Sequence, residues 1–337
     1  MGMGKAPARM ALTNRDRFAA LLSSAKFAAN RCRKCIAMRH LTQLRYLDAV
    51  AREGSIRKAA DGLAITSTAL NRRILALEED LGVPIFERLP RGVRLTTAGE
   101  LLIHHVRTQM SDFEKLRSQI ADLSGERRGH VAVACSQALL PYFLPEQIAR
   151  YRAAHPAVTF GVHLRDRDAA EQALAEHSVD LALVFEPVRF HDVHVLARVR
   201  QPIHAVMSAD HPLAAKRQLR LADCAAYPVA LPTTAYGVRH LLDLAIMGSS
   251  VRLNMAVESD SFEFLRSYPG MEQLVSFQIS VGLPEDGLRA DIVSRPLAPR
   301  DVPEGTLYLC QLRGRTLPVA AAKFAQAMER SLAERFS

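Results

Sequence analysis

Five residues with hydroxyl, amide or guanidinium side chains cluster at the start of a predicted helix: Ser67, Thr68, Asn71, Arg72 and Arg73. The opposite side of this helix is apolar, with spacings of four, three and four residues between Leu70, Ile74, Leu77 and Leu81. Such polar groups bind base edges and phosphates of double-stranded DNA. For any single arginine, a solvated cationic helix face is the competing interpretation.

More polar and basic side chains flank this helix in the chain. Three precede it, Ser55, Arg57 and Lys58, and three follow it, Arg88, Arg91 and Arg94. The second group alternates with apolar residues around Pro90 and Gly92, a pattern typical of a short two-stranded wing that lies along the phosphate backbone.

Three short helices are predicted to position these groups. The first carries an apolar stripe from Leu41 and ends at Gly54, the second has Ser55 as its N-cap, and the third runs from the N-cap Thr66 to Gly82. Three helices within about forty residues, the last with a polar N-terminal face, are typical of a helix-turn-helix.

Charge is distributed unevenly along the 337 residues. Of 44 basic and 35 acidic side chains, 23 basic and 13 acidic lie in residues 1–128, an excess of +10, whereas the remainder is close to neutral. This asymmetry favours a polyanion-binding head on a near-neutral body, although charge alone equally fits a soluble protein with a basic surface.

Residues 41–100 resemble the N-terminal winged helix-turn-helix of LysR-type transcriptional regulators. The matching segments are QLRYLDAVAREGS, ALNRRI, LEEDLG and IFERLPRGVRLTTAGE. The resemblance predicts a DNA-binding domain over 38–96. The chain departs from the family at Thr66 to Thr68 and at Asn71, which predicts an altered DNA sequence preference. Since Asn reads adenine and Arg reads guanine, we expect Asn71 with Arg72 or Arg73 to read bases.

A linker helix is predicted over 97–125, with Thr97 as its cap. Its apolar residues recur about every 3.5 positions: Leu102, Val106, Phe113, Leu116, Ile120 and Leu123. This spacing fits a coiled-coil seam or an intramolecular core equally. The family resemblance favours the seam and implies a homodimer or homotetramer, and it leaves RNA polymerase as a further partner at the promoter.

Residues 129–335 alternate predicted strands and helices. The strands are 130–135, 158–164, 180–184, 203–208, 229–231, 253–257, 274–277 and 306–311, and the helices are 144–154, 168–177 and 318–334.

This part resembles the family's effector-binding domain, which has two α/β lobes of periplasmic-binding-protein type. Lobe I is predicted over about 129–200 and 305–335, and lobe II over about 201–304. The segment YPGMEQ replaces a glycine-rich run that is usual in the family, so the resemblance does not predict the exact shape of lobe II. The overall fold class is therefore α/β: a winged helix-turn-helix, a linker helix and a two-lobed effector domain.

Candidate effector-binding residues follow predicted strands, where helix N-termini favour anions. They are Ser136, Gln137, Arg165, Phe185, Thr233, Thr234 and Ser259. The family resemblance carries over to Ser136, Thr233 and Thr234, and a small carboxylate is the expected effector class. For each residue, a turn or N-cap role without a ligand is the alternative.

The remaining features exclude other classes of protein. Residues 1–37, with eight basic residues against Asp16, are interpreted as a disordered basic arm or an over-extended start. The Cys32 and Cys35 pair has no second ligand pair for zinc, and Cys135 and Cys224 are expected to be buried. The number of cysteines, five, is odd and most of them are isolated, which favours the cytoplasm, and no run of apolar residues predicts a membrane span.

Catalytic, cofactor and metal motifs were not found in the sequence. No GxSxG, GxxxxGK[ST], HExxH or GxGxxG segment occurs, and the 12 histidines form no ligand-spaced cluster. We therefore expect no enzyme activity, no cofactor and no metal. An enzyme or ligand-binding protein on the two-lobed body, or an architectural DNA binder without effector response, remain as alternatives.

Overall fold

The computed structural model describes residues 39–123, 129–189, 192–284 and 291–336. The predicted N-terminal extension, residues 1–37 with Cys32 and Cys35, lies outside them. The chain divides into two compact units between Val106 and Arg107.

The N-terminal unit contains three helices, a two-stranded wing and the start of a long helix. Helices α1 (Arg39–Glu53), α2 (Ile56–Gly62) and α3 (Ser67–Leu81) precede strands β1 (Phe86–Leu89) and β2 (Gly92–Leu95). The expected caps are confirmed, because the Ser55 hydroxyl accepts from Lys58 N and the Thr66 hydroxyl accepts from Ala69 N. The core holds the buried faces of these helices: Leu47, Val50, Ala59, Ala60, Leu70 and Ile74.

The wing is a tight antiparallel pair, with Phe86 opposite Leu95 and Leu89 opposite Gly92. Gly92 has φ +141°, and a β-carbon there would lie 2.3 Å from the carbonyl oxygen of Gly54. Val93 N donates to that oxygen at 2.8 Å. Glycine is therefore required where the wing contacts the end of α1.

The long helix α4 (Thr97–Leu123) begins one residue after its cap. The prediction that Thr97 is the cap is wrong, because the Thr96 hydroxyl accepts from Gly99 N at 3.0 Å and donates to Pro84 O at 2.7 Å. Thr96 thus joins the end of the wing to the start of the helix. In the later part of α4, Leu116 and Ile120 are 48% and 55% exposed.

The C-terminal unit is built on two five-stranded sheets. Sheet I has the order β4-β3-β5-β12-β6, formed by β3 (Gly129–Cys135), β4 (Val158–Leu164), β5 (Leu181–Phe185), β6 (Val193–Gln201) and β12 (Gly305–Leu312). Sheet II has the order β11-β7-β10-β8-β9, formed by β7 (Ile203–Ser208), β8 (Pro228–Pro232), β9 (Asn254–Ser259), β10 (Val275–Ile279) and β11 (Ile292–Pro296).

Helices and short 3-10 turns connect and cover these sheets. The helices are α5 (Phe143–Ala154), α6 (Arg167–Ala175), α7 (Leu221–Cys224), α8 (Gly237–Met247), α9 (Phe262–Ser267) and α10 (Val319–Phe336). The 3-10 turns are Gln137–Leu139, Pro212–Ala215, Tyr268–Gly270 and Ser280–Gly282. On sheet I, Phe324 of α10 packs edge-on against Phe160 at 4.8 Å and Tyr151 at 5.3 Å.

The predicted strands and helices of this unit are confirmed, with ends that differ by at most two residues. The parallel arrangement holds for β3, β4 and β5. Two strands were missed, β6 and β11. Strand β6 runs antiparallel to β12, which is also antiparallel to β5, so sheet I is mixed rather than parallel throughout.

A buried ion pair attaches the later part of α4 to sheet I. The Arg315 guanidinium donates to Asp180 Oδ1 at 2.7 Å, Val179 O at 2.6 Å and the Ser111 hydroxyl at 2.9 Å. Asp180 Oδ2 accepts from Ala132 N at 2.9 Å. Only 8% of the Arg315 side chain and 10% of the Asp180 side chain are exposed. Burial lowers the pKa of Arg315, and the Asp180 carboxylate opposes this effect.

Within the described ranges, no helix combines the length and apolar character needed to cross a membrane.

Candidate nucleic-acid interface and ligand cleft

Helix α3 presents its predicted DNA-binding residues on the side away from the core. Ser67, Thr68, Arg72 and Arg73 are exposed, and Asn71 is half-buried. By helical periodicity, Thr68 and Arg72 project opposite Leu70 and Ile74, whereas Arg73 lies to one side. The Arg73 guanidinium stacks 5.0 Å above the Tyr46 ring of α1. Arg72 is therefore better placed to reach a base than Arg73.

The structure joins Asn71 to the wing. Arg88 Nη2 donates to Asn71 Oδ1 at 2.8 Å, although 17 residues separate them in the chain. Adenine is read by an amide whose oxygen accepts and whose nitrogen donates. An amide oxygen can accept two hydrogen bonds, so the bond from Arg88 orients the Asn71 amide and leaves one lone pair of Oδ1 and the Nδ2 donors for other partners. Sequence reasoning named both residues without pairing them.

The remaining predicted DNA-binding side chains differ in whether they are bonded to another group of the protein. Arg57, Lys58 and Arg91 are exposed, and Ser55 uses its hydroxyl as the α2 cap. Arg94 forms an exposed ion pair with Glu87 at 2.6 Å. The hydrogen bond and the charge of Glu87 raise the pKa of Arg94. This partner neutralises part of the charge that Arg94 would offer a phosphate.

A cleft of about 350 Å³, including its open side, lies within the C-terminal unit. Three predicted residues line one wall, and each ends or follows a parallel strand of sheet I: Ser136 after β3, Arg165 after β4 and Phe185 at the end of β5. Their strands end level, since Cys135 pairs with Leu164 and Leu183. The sheet therefore brings these side chains together.

The other wall comes from the second sheet and its helices. Tyr236, Gly237 and Val238 at the start of α8 line it with Phe262 of α9 and Ile279 of β10. Phe262 meets Tyr236 edge-on at 4.9 Å. A β-carbon at Gly237 would lie 2.7 Å from Phe185 O, so glycine allows the α8 N-terminus to approach β5.

Sequence reasoning named Arg165 but missed other polar residues that line the cleft: Asp166, Arg167 and Tyr236. Arg167, at the start of α6, lines the cleft beside Arg165 and donates to Glu186 O at 3.1 Å. Asp166 caps α6 by accepting from Ala169 N at 2.8 Å. Burial raises the pKa of the Tyr236 hydroxyl, so it stays neutral and able to donate. The lining of the cleft thus carries two guanidiniums and one carboxylate, Asp166, and the amide end of α8, which has no side-chain cap, adds to the net positive character. The signal available in the sequence was the segment Arg165-Asp166-Arg167, in which basic and acidic residues alternate directly after a strand.

Four other predicted effector residues do not line this cleft. Gln137 lies next to it and bonds to α9 instead, donating to Asp260 O at 2.9 Å and accepting from Phe262 N at 3.0 Å. Thr233 N donates to Ser259 O at 3.2 Å, and the Ser259 hydroxyl accepts from Ser261 N. Thr234 is exposed beside them. Thr233 and Ser259 thus take part in turns at the ends of β8 and β9.

The family models that match the chain cover both units. One described as the LysR substrate binding domain matches residues 124–333, and one described as a bacterial regulatory helix-turn-helix protein of the lysR family matches residues 41–100.

Relatives of known name are similar along most of their length. The RuBisCO operon transcriptional regulator of Allochromatium vinosum is 28% identical over 293 residues, which is 84% of this chain and 93% of the relative. The HTH-type transcriptional activator CmpR of Synechocystis sp. is 24% identical over 290 residues, with the same coverage of 84% and 93%.

Solved structures share the fold. A cysteine-to-aspartate form of full-length OxyR from Pseudomonas aeruginosa has a TM-score of 0.69 at 22% identity, covering 88% of this chain and 97% of that one. Full-length CbnR in complex with its target DNA has a TM-score of 0.51 at 19% identity, covering 87% and 99%. The relatives are named as regulators of transcription and not as enzymes. With the helix-turn-helix, the two-sheet unit and both family models in agreement, the chain belongs to the LysR family of transcriptional regulators.

Proposed function

We propose that this regulator binds a small carboxylate in the cleft of its C-terminal unit, and that this effector controls how an oligomer binds operator DNA. The observation that carries the effector class is the placement of Ser136, Arg165 and Arg167 at one end of sheet I, opposite the amide end of α8.

The chemistry of the cleft favours a small anion. A guanidinium binds a carboxylate through two parallel hydrogen bonds, and a serine hydroxyl and a neutral tyrosine add further donors. Phe185, Phe262 and Val238 supply an apolar surface for a short carbon skeleton. The Asp166 carboxylate caps α6 but keeps its negative charge, so it repels a second carboxylate on the ligand. A monocarboxylate fits this balance best.

The proposed DNA contacts divide between base reading and phosphate binding. Asn71 and Arg72 read bases in the major groove, and Arg73 contributes from the flank. Ser67 and Thr68 contact the groove at the start of α3. Phosphate contacts come from Ser55, Arg57, Lys58, Arg88, Arg91 and Arg94, with Arg94 weakened by Glu87.

Oligomer formation through α4 is part of this proposal. Leu116 and Ile120 are about half exposed at a four-residue spacing in the later part of the helix. Apolar side chains at such spacing pair helices of two subunits. Two heads then meet two half-sites of one operator. We place the oligomer in the cytoplasm, and a contact with RNA polymerase is a further element that rests on family membership alone.

The effector proposal is tested by titrating a panel of small mono- and dicarboxylates against the full-length protein. Binding is followed by the melting temperature and by operator affinity. The variants are Ser136→Ala with Arg165→Ala, and the matched control is Thr234→Ala, which lies outside the cleft. We expect the double variant to lose the ligand-induced shifts while it keeps its basal DNA affinity.

Two results contradict the proposal. One is an unchanged response of the cleft variant, and the other is a loss of response in Thr234→Ala alone. A shift that is larger for neutral analogues than for carboxylates overturns the anionic class.

The DNA-reading proposal has a separate test. Arg72→Ala should weaken a specific operator by about 1–3 kcal/mol while random DNA loses much less. Equal losses on both DNAs assign Arg72 to a phosphate contact.

A further inference from the structure

Two histidine side chains converge above one glycine at the edge of sheet I. His130 of β3 and His163 of β4 lie on the same face, because Ala132 pairs with Gly161 and Ala134 pairs with His163 in these parallel strands. A β-carbon built on Gly161 would lie 3.0 Å from Nε2 of His130 and 3.1 Å from Nε2 of His163. Both nitrogens therefore lie next to one small space that glycine leaves empty.

The second ring nitrogen of His130, Nδ1, lies 3.0 Å from the Thr159 hydroxyl oxygen, and that hydroxyl lies 3.3 Å from Gly129 O. In the tautomer that carries its hydrogen on Nδ1, His130 donates to Thr159 and the hydroxyl donates to Gly129 O. Nε2 of neutral His130 then carries a free lone pair. Histidines that bind metals are oriented in the same way, with the other nitrogen donating to an oxygen.

We propose that His130 and His163 bind a divalent transition-metal cation of the Zn²⁺ type through their Nε2 atoms. Tetrahedral zinc with bonds of about 2.0–2.1 Å needs its two nitrogens about 3.3 Å apart. Both nitrogens lie within 3.1 Å of one point beside Gly161, and rotation of the two rings about their side-chain bonds changes the distance between the nitrogens toward this value. His130 is exposed and His163 is half-buried, and β4 is an edge strand, so a cation can enter from solvent.

The remaining coordination positions belong to water. Across the described ranges, no group of three or more His, Cys, Asp or Glu side chains is arranged to hold a metal. The site therefore has two protein ligands and is open and exchangeable, unlike a closed structural zinc site. The separation of 33 residues hides the pair from any search by sequence spacing, and only the parallel pairing of β3 with β4 creates it.

The ion would link the edge strand to its neighbour. Strand β4 carries His163 and ends at Leu164, directly before Arg165 of the cleft, so the proposed metal site and the cleft lie at the same end of one strand. The proposal does not depend on an effector, because metal binding is read directly.

The test is Zn²⁺ binding by the full-length chain, measured by competition with a chromophoric chelator. The parent chain for this test carries Cys32→Ser and Cys35→Ser, which remove thiols that compete for zinc. Every further variant is made in this parent chain. His163→Ala removes one ligand, and Gly161→Ala keeps both ligands but fills the space between them. His194→Ala is the matched control, since His194 is an exposed histidine on β6 at the opposite edge of the sheet.

We expect Zn²⁺ affinity to fall by at least about tenfold in both His163→Ala and Gly161→Ala, and to be unchanged in His194→Ala. Thr159→Val should weaken it by about tenfold, because the His130 tautomer is no longer held. Zn²⁺ should also raise the melting temperature of the parent chain and not that of His163→Ala.

The proposal is overturned if the parent chain binds no Zn²⁺, or if His163→Ala binds it as tightly as the parent. His163→Ala decides the question even if Gly161→Ala fails to fold, because His163 is half-buried at an edge.

Discussion

Replacing Arg315 by methionine tests how the later part of α4 is held on sheet I. Methionine keeps much of the side-chain volume but removes the donors to Ser111, Val179 and Asp180. The Asp180 carboxylate, 10% exposed, then retains only its bond from Ala132 N. Leaving one partner of a buried ion pair uncompensated costs about 3–5 kcal/mol of unfolding free energy.

Two companion variants measure separate contributions to this loss of stability, and a third variant is the control. Ser111→Ala removes one neutral acceptor and should cost about 1 kcal/mol. Adding Asp180→Asn to Arg315→Met should recover about 1 kcal/mol or more, because a buried amide is less costly than a buried carboxylate. Arg313→Met, two residues earlier at an exposed position, should change stability by less than about 0.5 kcal/mol.

Urea unfolding of the full-length variants, followed by circular dichroism, measures these differences. Hydrogen exchange at β3 and β5 assigns them to the C-terminal unit. A loss below about 1 kcal/mol in Arg315→Met would refute the reasoning, since it would mean that water or another cation already compensates Asp180. Equal losses in Arg315→Met and Arg313→Met would refute it as well.

Three further predictions concern pH, thiol reactivity and the wing. Burial lowers the pKa of His204 to about 4, so between pH 6.5 and 4 the unfolded chain binds a proton that the folded chain refuses. Stability should fall as pH drops through this range, by about 3 kcal/mol, and His204→Gln should flatten the fall in urea titrations. Burial raises the pKa of Cys135, Cys224 and Cys310 to about 12, so iodoacetamide at pH 8 should label these thiols only after unfolding, and rapid labelling of the native chain would contradict their burial. Gly92→Ala forces a side chain into φ +141° and against Gly54 O, and should cost about 1–3 kcal/mol in the N-terminal unit and reduce operator binding; normal binding by a stably folded variant would contradict the wing geometry.

Local signals were sufficient to predict the N-terminal unit. Helices begin after the N-caps Ser55 and Thr66 and end at the left-handed Gly82, as the sequence predicts, because capping depends on residues within one turn. The Thr97 cap was wrong by one residue, since Thr96 is chosen by its bond to the distant Pro84 carbonyl. A tertiary contact of this kind leaves no local pattern.

The cleft was predicted only in part, because one of its walls follows from local sequence signals and the other depends on tertiary contacts. Strand ends mark where Ser136, Arg165 and Phe185 lie, because parallel strands present their carboxyl ends at one edge. The sequence does not indicate which turns of the second sheet face them. Tyr236 faces the cleft whereas Thr233, three residues earlier, bonds to Ser259. Strand β6 was missed although its segment VHVLARVR alternates apolar and polar residues except at Leu196, and β11 is a short strand, IVSRP, without a clear alternation.

The central claim is that this chain binds particular operator sites through α3 and that a small carboxylate changes this binding. The most direct measurement is sequencing of genomic fragments retained by the full-length protein at about 150 mM salt, where non-specific phosphate binding is weak, with Arg72→Ala as the matched control. We expect a few intergenic sites with paired inverted half-sites, lost in Arg72→Ala, whose retention changes when a carboxylate that raises the melting temperature is added. Fragments without a shared motif, retained equally by Arg72→Ala and unaffected by any such carboxylate, would contradict it.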